Sequence, residues 1–345
     1  MGVTVKTFGK TKDKQHIFLY TIKNKNGMSA SVTNFGSILV NLFVPDKNGQ
    51  FEDVVLGLEK GTDYYKNGSF FGATVGRNAN RIGKACAKID GKLYKFPVND
   101  GPNNLHTDFE VGMHMKLWDA VIYSDSVEFT TLSPDNEAGF PGNLKMKVTY
   151  TLREDNAIQI SYEGVSDKKT IINMTNHSYF NLSGHNAGNI ENTELKLNCS
   201  KFTPVVKGAI PTGELKDVEG TVFDFREFKT IGQDINAKEQ QLKLVKGYDH
   251  NFVVDGYDGT EKLVAVAKAG GRTMEVYSDL PGIQFYAGNC IAKQKGKDGV
   301  KYTKRSGFCL ETQYFPDNVN QDNFKKAIFD ANELYKTTTV YKFVQ

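Results

Sequence analysis

Short alternating runs of apolar and polar residues recur along the chain and predict β-strands, because side chains on a strand point alternately to opposite faces. Residues 16–22 and 37–45 are early examples, and the second run ends at Asp46-Lys47-Asn48-Gly49, a typical hairpin turn. Residues 53–57 and 92–96 follow the same pattern. Later predicted strands cover residues 120–123, 127–133, 144–150, 158–162, 171–182, 194–197, 252–254, 263–267, 272–278, 283–286, 307–312 and 337–343.

Helical patterns are few and short. The candidates, residues 64–66, 238–245 and 321–329, lack strong capping residues. The chain of 345 residues contains 33 glycines and 12% aromatic residues, a composition typical of many short strands joined by tight turns. Together these features predict an all-β fold: one large, mostly antiparallel β-sandwich with few short helices, spanning residues 1–345 as a single domain.

The predicted strand at residues 171–182 carries a row of hydrogen-bonding side chains on one face. Strict alternation places there Asn173, Thr175, His177, Tyr179 and Asn181, opposite a set of large apolar residues. Such a row is compatible with the solvated face of an antiparallel sheet and equally with the floor of a binding cleft. The choice depends on what else the chain brings to that face.

Charge and cysteine content exclude several classes of partner and site. The 43 basic and 40 acidic residues leave a formal charge of +3, so no global field attracts nucleic acid or an anionic membrane. No segment is long and apolar enough for a signal peptide or a bilayer span. Cys86, Cys199, Cys290 and Cys309 lie far apart without metal-ligand spacing. We therefore expect a cytoplasmic protein with reduced cysteines and no metal.

Four further clusters combine turn residues with polar side chains, at residues 76–84, 99–106, 247–252 and 280–286. Each is also compatible with an ordinary surface turn. The first has glycine spacing that fits neither a P-loop nor a dinucleotide fingerprint. In the last, strand alternation turns Gln284 away from Ile283 and Phe285. Residues 293–305 are rich in Lys and Gly and predict a solvated hairpin loop.

Glu311 stands out because it interrupts an apolar strand. Charged side chains are rarely buried unless they are paired or functional, and burial raises the pKa of a carboxyl group and makes it a better base. Glu311 and His177 would form a general acid–base pair if both faced one polar hollow. No nucleophile elbow, metal set or cofactor motif accompanies them, which leaves proton transfer to and from a small polar substrate.

The motifs together resemble the aldose 1-epimerase (galactose mutarotase) family. The matching stretches run in order over nearly the whole chain, at residues 76–83, 99–106, 133–142, 175–184, 210–214, 223–226, 248–252 and 306–316. The resemblance implies a large β-sandwich with Glu311 as catalytic base and His177 as catalytic acid. It implies a sugar-binding set of Asn80, Arg81, His106, Ser178, Tyr179, Asp249 and Gln284, although alternation puts Ser178 on the opposite face. Tyr179 or Phe285 would line the cleft against the sugar.

The implied reaction interconverts the α and β anomers of a free hexose, galactose or glucose, without a cofactor, in a monomer or weak dimer. Three alternatives stay open: a hexose-6-phosphate 1-epimerase using Arg77 and Lys84, a non-catalytic sugar-binding protein, and a structural β-sandwich module. The chain departs from the family pattern at Asn104 and at Thr107-Asp108, which affects the loop beside His106 and hence substrate preference.

Overall fold

Strands dominate the structure, a computed structural model that describes residues 2–344. In chain order they are β1 (Gly2–Lys10), β2 (His16–Lys23), β3 (Ser29–Thr33), β4 (Ile38–Pro45), β5 (Phe51–Asp53), β6 (Ala73–Val75), β7 (Arg81–Ile82), β8 (Cys86–Ile89), β9 (Lys92–Lys95), β10 (Asn104–Leu105), β11 (Asp119–Ile122), β12 (Ser126–Ser133), β13 (Leu144–Leu152), β14 (Ala157–Ser166), β15 (Thr170–Ile171), β16 (Thr175–His177), β17 (Glu194–Leu197), β18 (Lys201–Phe202), β19 (Lys216–Asp217), β20 (Lys229–Thr230), β21 (Asp249–Val253), β22 (Lys262–Ala269), β23 (Arg272–Ser278), β24 (Gly282–Tyr286), β25 (Gln294–Lys295), β26 (Lys301–Tyr302), β27 (Cys309–Gln313), β28 (Ile328–Phe329) and β29 (Leu334–Val344).

Three antiparallel sheets form the body of the molecule. The largest has nine strands in the order β11-β12-β13-β14-β29-β23-β22-β17-β20. A five-stranded sheet contains β1 to β5 in sequence order, and a second runs β19-β18-β21-β24-β27. Buried apolar side chains from all three sheets meet in one continuous core. This arrangement confirms the predicted all-β class and its antiparallel layers.

The largest sheet shows why alternation produces its strands. Along β13 the buried positions alternate with more exposed ones, so that Leu144, Met146 and Val148 enter the core. Lys147 on the outer face forms an ion pair with Glu163 on β14, with Nζ and Oε2 2.5 Å apart. One face of this sheet therefore packs apolar side chains, and the other carries cross-strand charge pairs.

Helices are few in the described part of the chain, as predicted. One α-helix, α1 (Gln240–Val245), begins after Glu239, whose carboxylate accepts the N–H of Leu242. The predicted turn at residues 64–66 belongs to a longer 3₁₀ helix, Gly61–Lys66. The other 3₁₀ segments are Gly83–Ala85, Met113–Met115, Glu137–Gly139 and Lys297–Gly299. No helix within residues 2–344 combines the length and apolar composition needed to cross a bilayer.

The helix predicted at residues 321–329 is wrong. That segment is a loop followed by β28, and its backbone is held by long-range contacts rather than by a helical ladder. Asn318 Oδ1 accepts the N–H of Ala327, and Lys326 Nζ donates to the carbonyl of Asn318. The side chain of Asn318, from outside the segment, thus satisfies a backbone N–H that a helix would have satisfied internally.

The long strand predicted at residues 171–182 is also wrong, because its parts pair with different partners. Ile171 pairs with Ile328 in β28, whereas β16 pairs with β6. Between them, the Asn173 amide accepts the N–H of Tyr314 and donates to the same residue's carbonyl. Each segment of this stretch is therefore tied to a different part of the fold.

The hairpin loop predicted at residues 293–305 forms between β25 and β26, but it is not solvated throughout. Lys297 and Arg305 are only 5% and 6% exposed. Lys297 Nζ lies 2.5 Å from Asp53 Oδ2, and Arg305 Nη1 lies 2.7 Å from Glu191 Oε1. The two ion pairs attach the hairpin to the rest of the protein. The Lys- and Gly-rich composition of the segment gave no indication of these buried contacts.

Candidate active site

A cavity of about 200 Å³ opens at the face of the sheet that contains β21, β24 and β27. The predicted site residues that line it are Asn80, Arg81, His106, His177, Tyr179, Asp249 and Glu311. The structure therefore brings together seven of the nine predicted side chains from five separate stretches of sequence.

Strand register explains how the floor of this cavity is built. Glu311 on β27 pairs with Gln284 on β24, and Cys309 pairs with Tyr286. Because side chains alternate, Cys309, Glu311 and Gln313 share one face of β27, whereas Leu310 enters the apolar core. The carboxyl group predicted from an interrupted apolar strand therefore faces the cavity.

Glu311 is held in an environment that disfavours its charge. It is 2% exposed, and its Oε2 atom has no hydrogen-bond partner among residues 2–344. Burial raises the pKa of this carboxyl group well above its usual value, and the neighbouring Asp249 raises it further, while Arg81 opposes the shift. An unpartnered, desolvated carboxyl group is a strong proton acceptor once a hydroxyl group reaches it.

His177 faces Glu311 across the cavity, with Nε2 3.7 Å from Oε1. Its ring stacks on Tyr179, with centroids 5.0 Å apart, and on Phe70, with centroids 6.0 Å apart. Burial lowers the pKa of His177 to about 4, against the opposing effect of a hydrogen bond from the ring to its own backbone carbonyl. The imidazole is therefore neutral at pH 7 in the empty site.

A loop on the opposite wall positions His106 and Arg81. The backbone N–H of Asn80 donates to His106 Nδ1 over 3.1 Å, which leaves the proton of the neutral ring on Nε2. Burial lowers the pKa of His106, so this ring is a neutral N–H donor. Arg81 Nε is held 2.7 Å from Asp100 Oδ2, which fixes the guanidinium at the cavity edge.

A chain of amides runs beneath the cavity. Gln284 Nε2 donates to Asp249 Oδ1 over 2.7 Å, and Gln313 Nε2 donates to Gln284 Oε1 over 3.2 Å. Asn80 Nδ2 reaches Gln313 Oε1 at 3.4 Å. Gln284 therefore orients Asp249 from below and does not line the cavity. Sequence reasoning missed Gln313, although its spacing of two from Glu311 was a usable signal.

Ser178, the ninth predicted residue, is not among the lining residues either. It is 1% exposed, and its Oγ has no hydrogen-bond partner. Of the predicted polar row, His177 and Tyr179 face the cavity. The side chains of Thr175 and Asn181 instead donate hydrogen bonds to backbone carbonyls. Alternation was correct for the two positions that face the cavity, although the strand itself is interrupted.

Of the two aromatic residues predicted to line the cleft, Tyr179 does so and Phe285 does not. Phe285 is fully buried in the core, on the opposite face of β24 from the cavity. Its neighbour Tyr286 lines the cavity instead, together with Phe70 and the exposed Cys290. Sequence reasoning missed these three. Tyr286 and Phe285 are adjacent, and what distinguishes them is which face of β24 each side chain occupies.

The unusual residues beside His106 act as scaffold. Thr107 Oγ1 accepts the N–H of Asn78 and donates to its carbonyl. Asn104 Nδ2 donates to the carbonyls of Pro97 and Thr107. Neither side chain lines the cavity. The departures from the family pattern therefore shape the backbone of the loop.

A metal ion fits this site poorly, although one donor atom each from His106, His177 and Glu311 lie within 4.8 Å of one another. A ligating histidine normally donates its other ring N–H to an acceptor. His106 Nδ1 instead accepts an N–H, so its Nε2 carries the ring proton and has no free lone pair. Two remaining candidates are too few for a three-residue protein site.

Comparison with known proteins agrees with this geometry. The family model described as aldose 1-epimerase matches residues 19–342. The chain belongs to the aldose 1-epimerase family. It is 42% identical to galactose mutarotase of Bos taurus over 92% of this chain and 91% of that one. It is 34% identical to aldose 1-epimerase of Escherichia coli strain K12 over 96% of both chains.

Solved structures of the aldose 1-epimerase family share the fold. A crystal structure of galactose 1-epimerase from Lactobacillus acidophilus NCFM superposes with a TM-score of 0.87 at 30% sequence identity, covering 100% of this chain and 99% of that one. The family assignment from motifs and the predicted β-sandwich are both confirmed. The protein is an isomerase with aldose 1-epimerase activity.

Proposed function

We propose that this enzyme interconverts the α and β anomers of free hexoses, galactose and glucose, with Glu311 as base and His177 as acid. The observation that carries the proposal is the 3.7 Å separation of His177 Nε2 and Glu311 Oε1 in one buried cavity. Glu311 takes the proton of the anomeric hydroxyl, and His177 delivers a proton to the ring oxygen as the C1–O5 bond breaks. Rotation about C1–C2 and closure on the other face reverse both transfers.

The proton inventory of the pair suits this cycle. A neutral carboxyl with a neutral imidazole and a carboxylate with an imidazolium hold the same number of protons. Burial favours the first arrangement in the empty site. Ring opening converts the second arrangement into the first, because the base gains the proton that the acid loses. The site is thus matched to the protonation of the open-chain intermediate, which lowers the energy of that species.

The surrounding polar groups supply recognition. His106 and Arg81 present N–H donors that stabilise charge developing on the ring oxygen and hold the ring. Asp249 accepts hydrogen bonds from sugar hydroxyls, Asn80 contacts others, and Tyr179 and Tyr286 offer apolar surface to the sugar faces. Gln284 acts on the sugar through Asp249. We assign Ser178 no direct contact with the sugar.

Free hexoses fit better than hexose phosphates. Arg81 is the one lysine or arginine among the described residues that line the cavity, and Asp100 neutralises it. Arg77 is 1% exposed and donates to Ser133 and to the carbonyl of Gly142. Lys84 borders a separate cavity. A phosphate would therefore have a single cation in the cavity, already paired with Asp100 through Nε, to offset Asp249 and Glu311.

Two alternatives gain no support from the site. A sugar-binding protein without catalysis would not need both an acid and a base, and His177 and Glu311 both line the cavity. A purely structural module gives no reason for a polar cavity. We further propose that the chain acts as a single domain and as a monomer or weak dimer, without a cofactor, because both proposed catalytic groups come from one chain.

Polarimetry tests the proposal directly. Freshly dissolved α-galactose, α-glucose and glucose 6-phosphate are each followed with the wild type and with Glu311→Gln. We expect fast equilibration of the two free sugars by the wild type and near-spontaneous rates with the variant. Equal rates in both proteins would remove Glu311 from the mechanism, and a marked preference for glucose 6-phosphate would favour the phosphate epimerase instead.

A further inference from the structure

Cys309 touches the far side of the proposed catalytic acid. Its Sγ lies 3.5 Å from His177 Nδ1, the ring nitrogen that does not face Glu311. Cys309 is fully buried, and strand register places it opposite Tyr286, two residues before Glu311 on the same face of β27. One strand therefore presents a carboxyl group to one nitrogen of His177 and a sulfur atom to the other.

The role of this sulfur depends on which ring nitrogen of His177 carries a proton during the reaction. When Nε2 delivers its proton to the sugar, the imidazole stays neutral only if Nδ1 keeps a proton. A bare Nδ1 would leave an imidazolate, which is inaccessible near neutral pH. The catalytic cycle therefore requires that Nδ1 keep its proton, which an acceptor beside it favours. Cys309 Sγ is the side-chain partner that the described residues provide there, in addition to the backbone carbonyl of His177 itself.

We infer that Cys309 is a positioning residue whose Sγ accepts a hydrogen bond from His177 Nδ1–H, holding the tautomer that leaves Nε2 free for proton exchange with the sugar. The inference rests on the proposed role of His177 as acid. The thiol does for His177 what an acidic residue does for many catalytic histidines, but without a negative charge.

The absence of charge has a chemical consequence. Burial, together with Glu311 and Asp249, raises the pKa of the Cys309 thiol well above its usual value, so the sulfur stays protonated. A carboxylate in its place would stabilise the imidazolium and make it a weaker acid. A neutral sulfur orients the ring and leaves His177 ready to release its proton.

Nitrogen NMR of the ring reports the tautomer independently of turnover. We compare ¹⁵N-labelled wild type, Cys309→Ala, Cys309→Ser and Cys199→Ala at pH 7, assigning the His177 signals by their loss in His177→Asn. Cys199 is the matched control, since it is 1% exposed and lies in the core away from the cavity. The wild type and Cys199→Ala should show His177 protonated on Nδ1 alone.

Activity should follow the tautomer. We expect Cys309→Ala to show a mixed tautomer and a kcat lower by about tenfold, because only part of the molecules present a competent Nε2. Cys309→Ser keeps an acceptor and should retain kcat within about threefold of the wild type. Cys199→Ala should retain full activity.

Two results would overturn the inference. One is a wild-type His177 protonated on Nε2, which would mean that the thiol donates instead. The other is a Cys309→Ala variant with unchanged tautomer and unchanged kcat. A different failure, an active His177→Asn variant, would refute the proposed acid while leaving the tautomer measurement intact, so the two proposals can fail separately.

Discussion

Two buried pairs of ionisable side chains in this protein have opposite characters. Lys297 Nζ meets Asp53 Oδ2 at 2.5 Å and also donates to the carbonyls of Val40 and Val55. His177 and Glu311 stand 3.7 Å apart, too far for a good hydrogen bond, and Glu311 Oε2 has no partner. The first pair is saturated with hydrogen bonds, and the second is left incomplete.

The difference separates structure from function. A buried charge without its full set of partners costs free energy, so it persists where another requirement maintains it. The Lys297–Asp53 pair holds a hairpin against β4 and the start of the segment after β5. The His177–Glu311 pair has unused hydrogen-bonding capacity that a sugar hydroxyl can fill. We therefore propose that incomplete pairing in a cavity marks His177 and Glu311 as the reactive pair.

The largest effect should come from removing both members of the reactive pair. Glu311→Gln and His177→Asn should each lower kcat by about 10² to 10⁴. The double variant should lose little more than the worse single variant, because the two groups act as one proton-transfer unit. Polarimetric kcat values on α-galactose measure this cycle, with the exposed His16→Asn as control. Fully multiplicative losses would mean that the two residues act in separate steps.

Disrupting the Lys297–Asp53 pair should lower the stability of the protein rather than its activity. Lys297→Met leaves Asp53 buried without its cation and should lower the free energy of unfolding by about 3–5 kcal/mol. Adding Asp53→Asn removes the orphaned charge and should restore part of the loss. Urea unfolding measures both, and the exposed Lys295→Met on the same hairpin should change stability by less than about 0.5 kcal/mol. A loss no greater than that of Lys295→Met would show that the pair is dispensable.

The buried carboxyl group of Glu311 should make the free energy of unfolding depend on pH. Below the ordinary carboxyl pKa, Glu311 is protonated in both folded and unfolded chains, so it carries no penalty. As pH rises through that value the unfolded chain ionises first, because burial raises the pKa in the folded state. Glu311→Gln should therefore be about 1–3 kcal/mol more stable than the wild type at pH 7, with the gap closing toward pH 4.

Urea unfolding at several pH values measures this gap. Glu227→Gln is the matched control, since the Glu227 side chain is 90% exposed and should show no such trend. A Glu311→Gln variant that is less stable than the wild type at pH 7 would mean that the carboxyl group is well satisfied in the folded state.

The smallest effect concerns a satisfied group next to the reactive pair. Gln284→Leu removes the amide that donates to Asp249 and should raise KM by up to about tenfold, since one hydrogen bond to a charged group is lost. The kcat should change by less than about threefold, because Glu311 and His177 are untouched. Gln159→Leu, a partly buried glutamine on β14, is the control. A large loss of kcat with constant KM would place Gln284 in the chemistry itself.

The sequence carried much of the fold and part of the site. Strands at residues 194–197 and 272–278 were predicted at their observed limits because period-two alternation is a local property. Glu311 was found because a carboxyl group inside an apolar strand is locally anomalous. The resemblance to the aldose 1-epimerase family supplied the remaining site residues, which spacing alone could not connect.

Other features were decided by distant contacts. The helix predicted at residues 321–329 failed because Asn318 satisfies backbone that a helix would have used. Residues 293–305 were predicted as solvated because no local sequence feature shows that Lys297 forms a buried ion pair with the distant Asp53. Gln284 and Ser178 were expected at the sugar, yet their depth below the cavity depends on how β24 and the segment after β16 pack.

The sequence by itself determined the alternating strands, the antiparallel all-β class and the anomalous carboxyl group of Glu311, because periodicity and local composition act over a few residues. Tertiary structure alone decided which buried charges are satisfied and which are left open. That difference depends on partners more than 100 residues apart, such as Glu311 with His177 and Lys297 with Asp53. Only the folded chain determines the desolvation and the hydrogen-bond count that distinguish a reactive pair from a structural one.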